Sequence, residues 1–276
     1  MSTLYVSDLD GTLLQPDAKL SDETVALLND AIEKGKLFTI ATARTPATVS
    51  TILSRVHLRI PAIVMTGAAL WDSGTGRYSD VKFMPRESVG QLIEIYRRIG
   101  CPTFIYTLVD EKLCIYHDGP MWSAEEDFVA ERIGNPYKRL RVDIPLPPEE
   151  EMDKVVLFYA IQPDAISRAV YEATSGVKGT RPQFYHDFYG PEIGIVEQFS
   201  AEATKALAMR ALARRLGAEK IVAFGDNIND LPMMAEADLG VAVENALPEV
   251  REAAGLVIGC NTQNAVARFI HNHPGL

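Results

Sequence analysis

Short apolar runs that each close on a polar residue, separated by helical stretches, constrain this chain most. Leu4-Tyr5-Val6 closes on Asp8, residues 36–41 close on Thr42, and Ile221-Val222-Ala223-Phe224 closes on Gly225-Asp226. Runs this brief and this apolar suit strands buried on both faces. Between the first two, Ser21 caps a helix that puts Val25, Leu27, Leu28, Ala31 and Ile32 inward and ends near Gly35. A helix over 46–56 and the strand Ala62-Ile63-Val64-Met65 follow. The last third alternates in the same way. A helix over 200–217 with Ser200 as N-cap leads to the strand at 221–225, a helix over 229–236, a strand over 239–243, and helices over 247–254 and 263–271. This alternation predicts the α/β class, with a Rossmann-like, doubly wound parallel sheet.

The middle of the chain differs. Residues 103–117 read as a β-hairpin turning near Asp110-Glu111, and 154–161 as a strong strand. Helices are expected over 86–99, 121–133 and 164–174, with a loop from Pro145 to Glu151. The mixture predicts a separate α+β unit at 82–197, inserted into a core made of 1–81 and 198–276.

With 276 residues, 47% of them hydrophobic and 23% charged, the chain has apolar mass for a real core and for about two domains. The first apolar run is too short for a signal peptide, and no segment approaches the ~18 apolar residues of a membrane span. Cys101, Cys114 and Cys260 form no CxxC pair, which places the expectation in a reducing cytoplasm. A formal net charge of -10 argues against a nucleic-acid surface. It leaves an anionic small substrate open, because a few cations in a pocket outweigh distant carboxylates across a screening length of about 8 Å. A monomer or small homo-oligomer is expected.

In an open parallel sheet, ligands bind at the carboxyl ends of the strands. Four polar clusters occupy such places: Asp8 and Asp10; Thr42-Ala43-Arg44; Asp226 to Asp230; and Lys205, early in the helix before the strand at 221–225. Each has a use in cleaving a phosphate ester. A carboxylate nucleophile splits the reaction through an acyl phosphate. A hard cation screens it from the dianionic ester, and Mg²⁺ takes few carboxylates, which Asp8 and Asp226 can supply. Lys205 and the Thr42 hydroxyl can hold phosphoryl oxygens. Asp10 can protonate the leaving oxygen and then deprotonate the attacking water.

Asp8-Leu9-Asp10-Gly11-Thr12, Thr42, Lys205 and Gly225-Asp226-Asn227-Ile228-Asn229-Asp230 resemble the four motifs of the haloacid dehalogenase superfamily. The stretch from Gly225 to Met233 is similar to the closing motif of its Cof-type branch, subclass IIB, which carries a large cap inserted between the second and third motifs. The resemblance implies that Asp8 is nucleophile and Mg²⁺ ligand, Asp10 acid/base and, through its carbonyl, a ligand. It implies that Asp226 ligates the metal, that Thr42, Lys205 and Asn229 bind the phosphoryl group, and that Asp230 orders the site from behind. It implies a phosphatase of small phosphorylated metabolites, sugar phosphates foremost, with a cap that sets specificity. The chain departs from the branch with Thr42-Ala43-Arg44 for Thr-Gly-Arg and Thr66-Gly67-Ala68 for Asn-Gly-Ala, which bears on substrate identity more than on the reaction.

Plainer readings stand beside these. Thr42 could cap the next helix. Arg44 could contact substrate or form a structural ion pair, and Lys205 could be a solvated helix lysine. Asp226 to Asp230 is no calcium loop of the EF-hand kind, since Leu231 and Ala237 stand where Gly and Glu are required. The run from Phe184 to Tyr189 is read as strand and turn, with lining of the cap's substrate face as the alternative. His271 and His273 are read as a frayed tail. Two rival functions remain: a phosphomutase or phosphotransferase of the same superfamily, and a phosphoacceptor signalling module, which needs neither Asp10 nor an inserted cap.

Overall fold

The structure, a computed structural model, describes residues 2–187 and 190–275. The chain divides into two compact units, one of residues 1–80 with 203–276 and one of residues 81–202. In chain order the first unit opens with β1 (Thr3–Ser7), α1 (Asp22–Glu33), β2 (Leu37–Ile40), α2 (Pro46–Ile52), β3 (Ala62–Val64), β4 (Ala69–Trp71) and β5 (Tyr78–Ser79). The second unit holds α3 (Arg86–Ile99), β6 (Thr103–Val109), β7 (Lys112–Asp118), α4 (Ser123–Ala130), β8 (Lys138–Arg141), β9 (Val155–Pro163), α5 (Asp164–Thr174), β10 (Thr180–Asp187) and β11 (Gly190–Ser200). The first unit closes with α6 (Lys205–Leu216), β12 (Lys220–Gly225), α7 (Leu231–Ala235), β13 (Leu239–Val243), α8 (Pro248–Ala253), β14 (Leu256–Ile258) and α9 (Ala265–Asn272).

The first unit is built on a five-stranded sheet in the order β14-β13-β12-β1-β2, with every pairing parallel. A parallel bridge from Ala41 to Ile63 brings β3 alongside. From β1 the chain moves outward one way to β2, and from β12 the other way to β13 and β14. The switch point therefore lies between β1 and β12, where Ser7 pairs with Phe224. β1 is buried along its length and β12 from Val222 onward, with Leu4, Val6, Val222 and Phe224 fully so.

The second unit is a mixed six-stranded sheet in the order β10-β11-β9-β6-β7-β8. Val89, Leu92 and Tyr96 of α3 and Val170 of α5 pack with Ile105, Tyr116, Phe158 and Val196 of the strands in one core. The β6–β7 hairpin turns at Asp110 and Glu111, both in left-handed backbone, as the sequence predicted.

Several elements differ from expectation. Ser200 ends β11, paired with Thr180, and α6 starts only at Lys205 with Thr204 as its N-cap. Two residues with capping chemistry stand near that start, and strand pairing claims the first. β4, β5 and β8 are two to four residues long, too short to leave a periodic signal in the sequence. The helix expected over 121–133 shrinks to Ser123–Ala130, and the expected loop at Pro145–Glu151 runs into a 3₁₀ turn over Glu149–Lys154. The tail is not frayed: His271 pairs with Asp30, and His273 Nδ1 lies 3.0 Å from the Tyr5 hydroxyl. Of the run from Phe184, residues through Asp187 belong to β10; Phe188 and Tyr189 lie outside the described residues. No helix among the described residues is long and apolar enough to cross a membrane.

Candidate active site

Asp8 leaves β1 at its carboxyl end, its backbone N–H donating to Phe224 of β12 (3.0 Å). Asp226 leaves β12 directly beside it. Lys205 begins α6, where the Thr204 hydroxyl accepts the N–H of Leu207 (3.0 Å) and holds the first turn. The Lys205 ammonium reaches back to donate to Asp8 Oδ1 (2.6 Å) and Asp230 Oδ1 (2.8 Å). It is buried, as are Asp8 and Asp230. A solvated helix lysine is therefore ruled out for Lys205, and residues 197 apart in the chain are brought into contact.

Asp230 lies at the end of a 3₁₀ turn, Ile228–Asp230. Its second oxygen accepts the N–H groups of Asp226 (3.2 Å) and Asn227 (3.3 Å), which ties the acidic loop into one turn. Asn229 is exposed on the same turn. Thr12, to which the sequence alone assigns no role, donates to Asp226 Oδ1 (2.6 Å). Its place inside the first motif is the one signal that could have found it. Asn245, which no motif marks, donates to the Gly11 carbonyl (2.7 Å). Gly11 has φ +79, and a Cβ there would collide with the Asp226 carboxylate. That turn admits glycine for both reasons.

Thr42 is buried after β2. Its hydroxyl accepts the N–H of Arg44 (3.1 Å), while α2 takes Thr45 as its N-cap, so Thr42 does not cap that helix. The Arg44 guanidinium grips Asp10 with two bonds, Nε to Oδ2 (2.8 Å) and Nη2 to Oδ1 (2.6 Å).

The electrostatics follow from burial. Asp8 is pushed up to about 7, by desolvation first and by the neighbouring Asp230 and Asp226 charges, against the pull of Lys205. Asp226 is pushed up to about 6, again mainly by desolvation. Burial works against the Lys205 charge, but the Asp8 and Asp230 carboxylates outweigh it and hold the ammonium above its ordinary range. Three carboxylates thus face one buried cation.

A divalent cation fits that imbalance. Asp8, Asp226 and Asp230 each offer an oxygen, and the three oxygens lie within 4.8 Å of one another. Asp230 has both oxygens engaged by Lys205 and by backbone N–H groups. Asp8 Oδ2 and Asp226 Oδ2 carry no hydrogen bond among the described residues, so these two are the oxygens left for a metal. An all-oxygen donor set with few carboxylates suits Mg²⁺.

Comparisons with known proteins bear on the chain as a whole. A family model described as haloacid dehalogenase-like hydrolase matches residues 5–270. A 5-amino-6-(5-phospho-D-ribitylamino)uracil phosphatase of Bacillus subtilis is 26% identical over 98% of this chain and 97% of its own length. A pyridoxal phosphate phosphatase of Escherichia coli is 27% identical, covering 99% of each chain. Among solved structures, a haloacid dehalogenase-like hydrolase from Bacteroides thetaiotaomicron superposes with a TM-score of 0.76 at 22% identity, covering 98% of each chain.

Proposed function

The chain belongs to the haloacid dehalogenase-like hydrolase family, and from that premise we propose that it is a Mg²⁺-dependent phosphatase of a small phosphorylated metabolite. The observation that carries this reading is the Lys205 ammonium held between Asp8 and Asp230 at the switch point, with Asp226 alongside. Asp8 and Asp226 would hold the ion, joined by the carbonyl of Asp10. When bound, Mg²⁺ supplies positive charge that offsets the repulsion between carboxylate and phosphate ester.

The Asp8 carboxylate attacks phosphorus through the oxygen that is not on the ion, and the bond from phosphorus to the ester oxygen breaks. Asp10 gives its proton to that leaving oxygen, so an alcohol departs and the phosphoryl group stays on Asp8. A water then attacks the same phosphorus and gives its proton to Asp10. The bond from phosphorus to Asp8 breaks, and inorganic phosphate leaves. Lys205 and Thr42 hold non-bridging oxygens through both steps, Asn229 touches them from the exposed turn, and Asp230 keeps Lys205 in place.

Sugar phosphates and the phosphorylated heterocycles for which the two relatives are named form the first substrate panel. The test is phosphate release from that panel with Mg²⁺, for wild type beside Asp8→Asn. Release by wild type and none by the variant is the expected result. Equal release by both would remove Asp8 from the chemistry.

A further inference from the structure

We propose that Arg44 is the positioning residue for Asp10: its guanidinium fork fixes the carboxylate that exchanges protons with the leaving oxygen and with water. The inference rests on the phosphatase reading above and assigns Arg44 a part in it.

Asp10 needs such a partner. Its side chain is about half exposed (52%), and Arg44 is the one side chain among the described residues that bonds its carboxylate. A carboxylate at that exposure rotates freely unless held. The pair is bidentate, with one N–H to each oxygen, the geometry in which a planar guanidinium fixes both position and plane. As a stability device it is weak, because partly exposed ion pairs contribute little to folding. Its geometric effect is the larger one.

Arg44 is itself fixed from the phosphoryl side. Its N–H donates to the Thr42 hydroxyl, and its carbonyl accepts the N–H of Met65 (3.0 Å). The Thr66 N–H bonds the Thr42 carbonyl (2.9 Å). Met65, Thr66 and Gly67 are all left-handed, with φ of 50°, 57° and 93°. For a β-branched residue such as Thr66 that conformation is an outlier. Strain of this kind persists where surrounding structure over-determines it, and such places cluster at functional sites. A Cβ on Gly67 would collide with the Thr204 carbonyl, so the same turn abuts the start of α6, where Lys205 sits. One strained turn thus sets the backbone from which Thr42 and Arg44 project and meets the helix that carries Lys205. Arg44 passes that fixed geometry on to Asp10.

The consequence is a dependence on leaving group. p-Nitrophenolate departs as a stable anion and needs no proton, whereas an alkoxide does. kcat/KM reads the steps up to the first phosphoryl transfer, where Asp10 serves as acid. Arg44→Met and Arg44→Lys are therefore to be compared with wild type on p-nitrophenyl phosphate and on the best alkyl phosphate of the panel. The ratio of the two kcat/KM values is expected to shift toward the aryl ester by about 10–100-fold in Arg44→Met, the scale on which misplaced catalytic groups lose rate. Arg44→Lys keeps the charge but not the fork, and is expected to shift by at least about tenfold. A purely structural or phosphate-binding role would lower both esters together. An active wild type whose variants keep its ratio, or a lysine variant that restores it, would overturn the inference alone. A wild type inert toward both esters would overturn the phosphatase reading as well.

Discussion

Lys205 is the residue on which the charge balance of the site turns. It is the single buried cation between Asp8 and Asp230, and all three side chains are nearly inaccessible to solvent. Removing one partner from a buried ion pair leaves the others uncompensated, at a cost of about 3–5 kcal/mol. Lys205→Met is therefore expected to lose about that much stability in metal-free denaturant unfolding, together with activity. A variant as stable as wild type would show that the ammonium is not needed to keep the two carboxylates buried. At this scale the sequence was legible where chemistry sits next to a strand end. Asp8, Thr42 and Asp226 all follow apolar runs, and the structure puts each at a carboxyl end of the sheet. Thr12 was not legible as a partner, because its bond to Asp226 joins residues 214 apart. Arg44 stood between two readings until the fold placed its guanidinium on Asp10.

At the level of elements, the site depends on how two turns and one helix begin. The Thr204 hydroxyl caps α6 immediately before Lys205. Thr204→Ala should cost about 1 kcal/mol, the usual worth of such a cap, measurable as a shift in the denaturant midpoint. An unchanged midpoint would mean that packing alone holds the helix start. The Gly11 turn is stricter, since its φ is positive and the Asp226 carboxylate fills the space of a Cβ. Gly11→Ala is expected to weaken Mg²⁺ binding by about tenfold or more, the range seen when groups behind a metal ligand are disturbed. Titration calorimetry would read this directly, and wild-type affinity would contradict the placement of Asp226 in the ion site. Long amphipathic helices such as α1, α3 and α5 were legible from periodicity. The start of α6 was not, because Ser200 and Thr204 carry the same capping chemistry and only the pairing of Ser200 with Thr180 decides between them.

For the whole molecule, the acidic site links folding to pH. Asp8 and Asp226 titrate in the folded, metal-free protein at about 7 and about 6, above the ordinary value near 3.9. As pH rises, the unfolded chain therefore gives up these protons first. The stability that the protonated groups confer in acid is lost between about pH 4 and about pH 7. A divalent cation at the proposed site would bind the ionised carboxylates, so its stabilising effect is expected to grow over the same window. The rise in Tm on adding Mg²⁺ should be small at pH 5 and clearly larger at pH 8. An equal rise at both would mean that the ion binds elsewhere. The formal charge of -10 acts in the same direction, since a strongly acidic chain gains from a bound cation. At this scale the parallel sheet was legible from the alternation of strands and helices. The contents of the middle segment were less so, because short strands and 3₁₀ turns leave little periodic trace.

A phosphoryl group attached to Asp8 is the most direct mark of the proposed chemistry. Rapid acid quench during turnover, followed by proteolysis and mass spectrometry, would locate it. The predicted result is a phosphorylated peptide containing Asp8, sensitive to hydroxylamine as an acyl phosphate is, and absent from Asp8→Asn. Phosphate release with no trapped species, or a phosphoryl group on another residue, would contradict the nucleophilic role of Asp8.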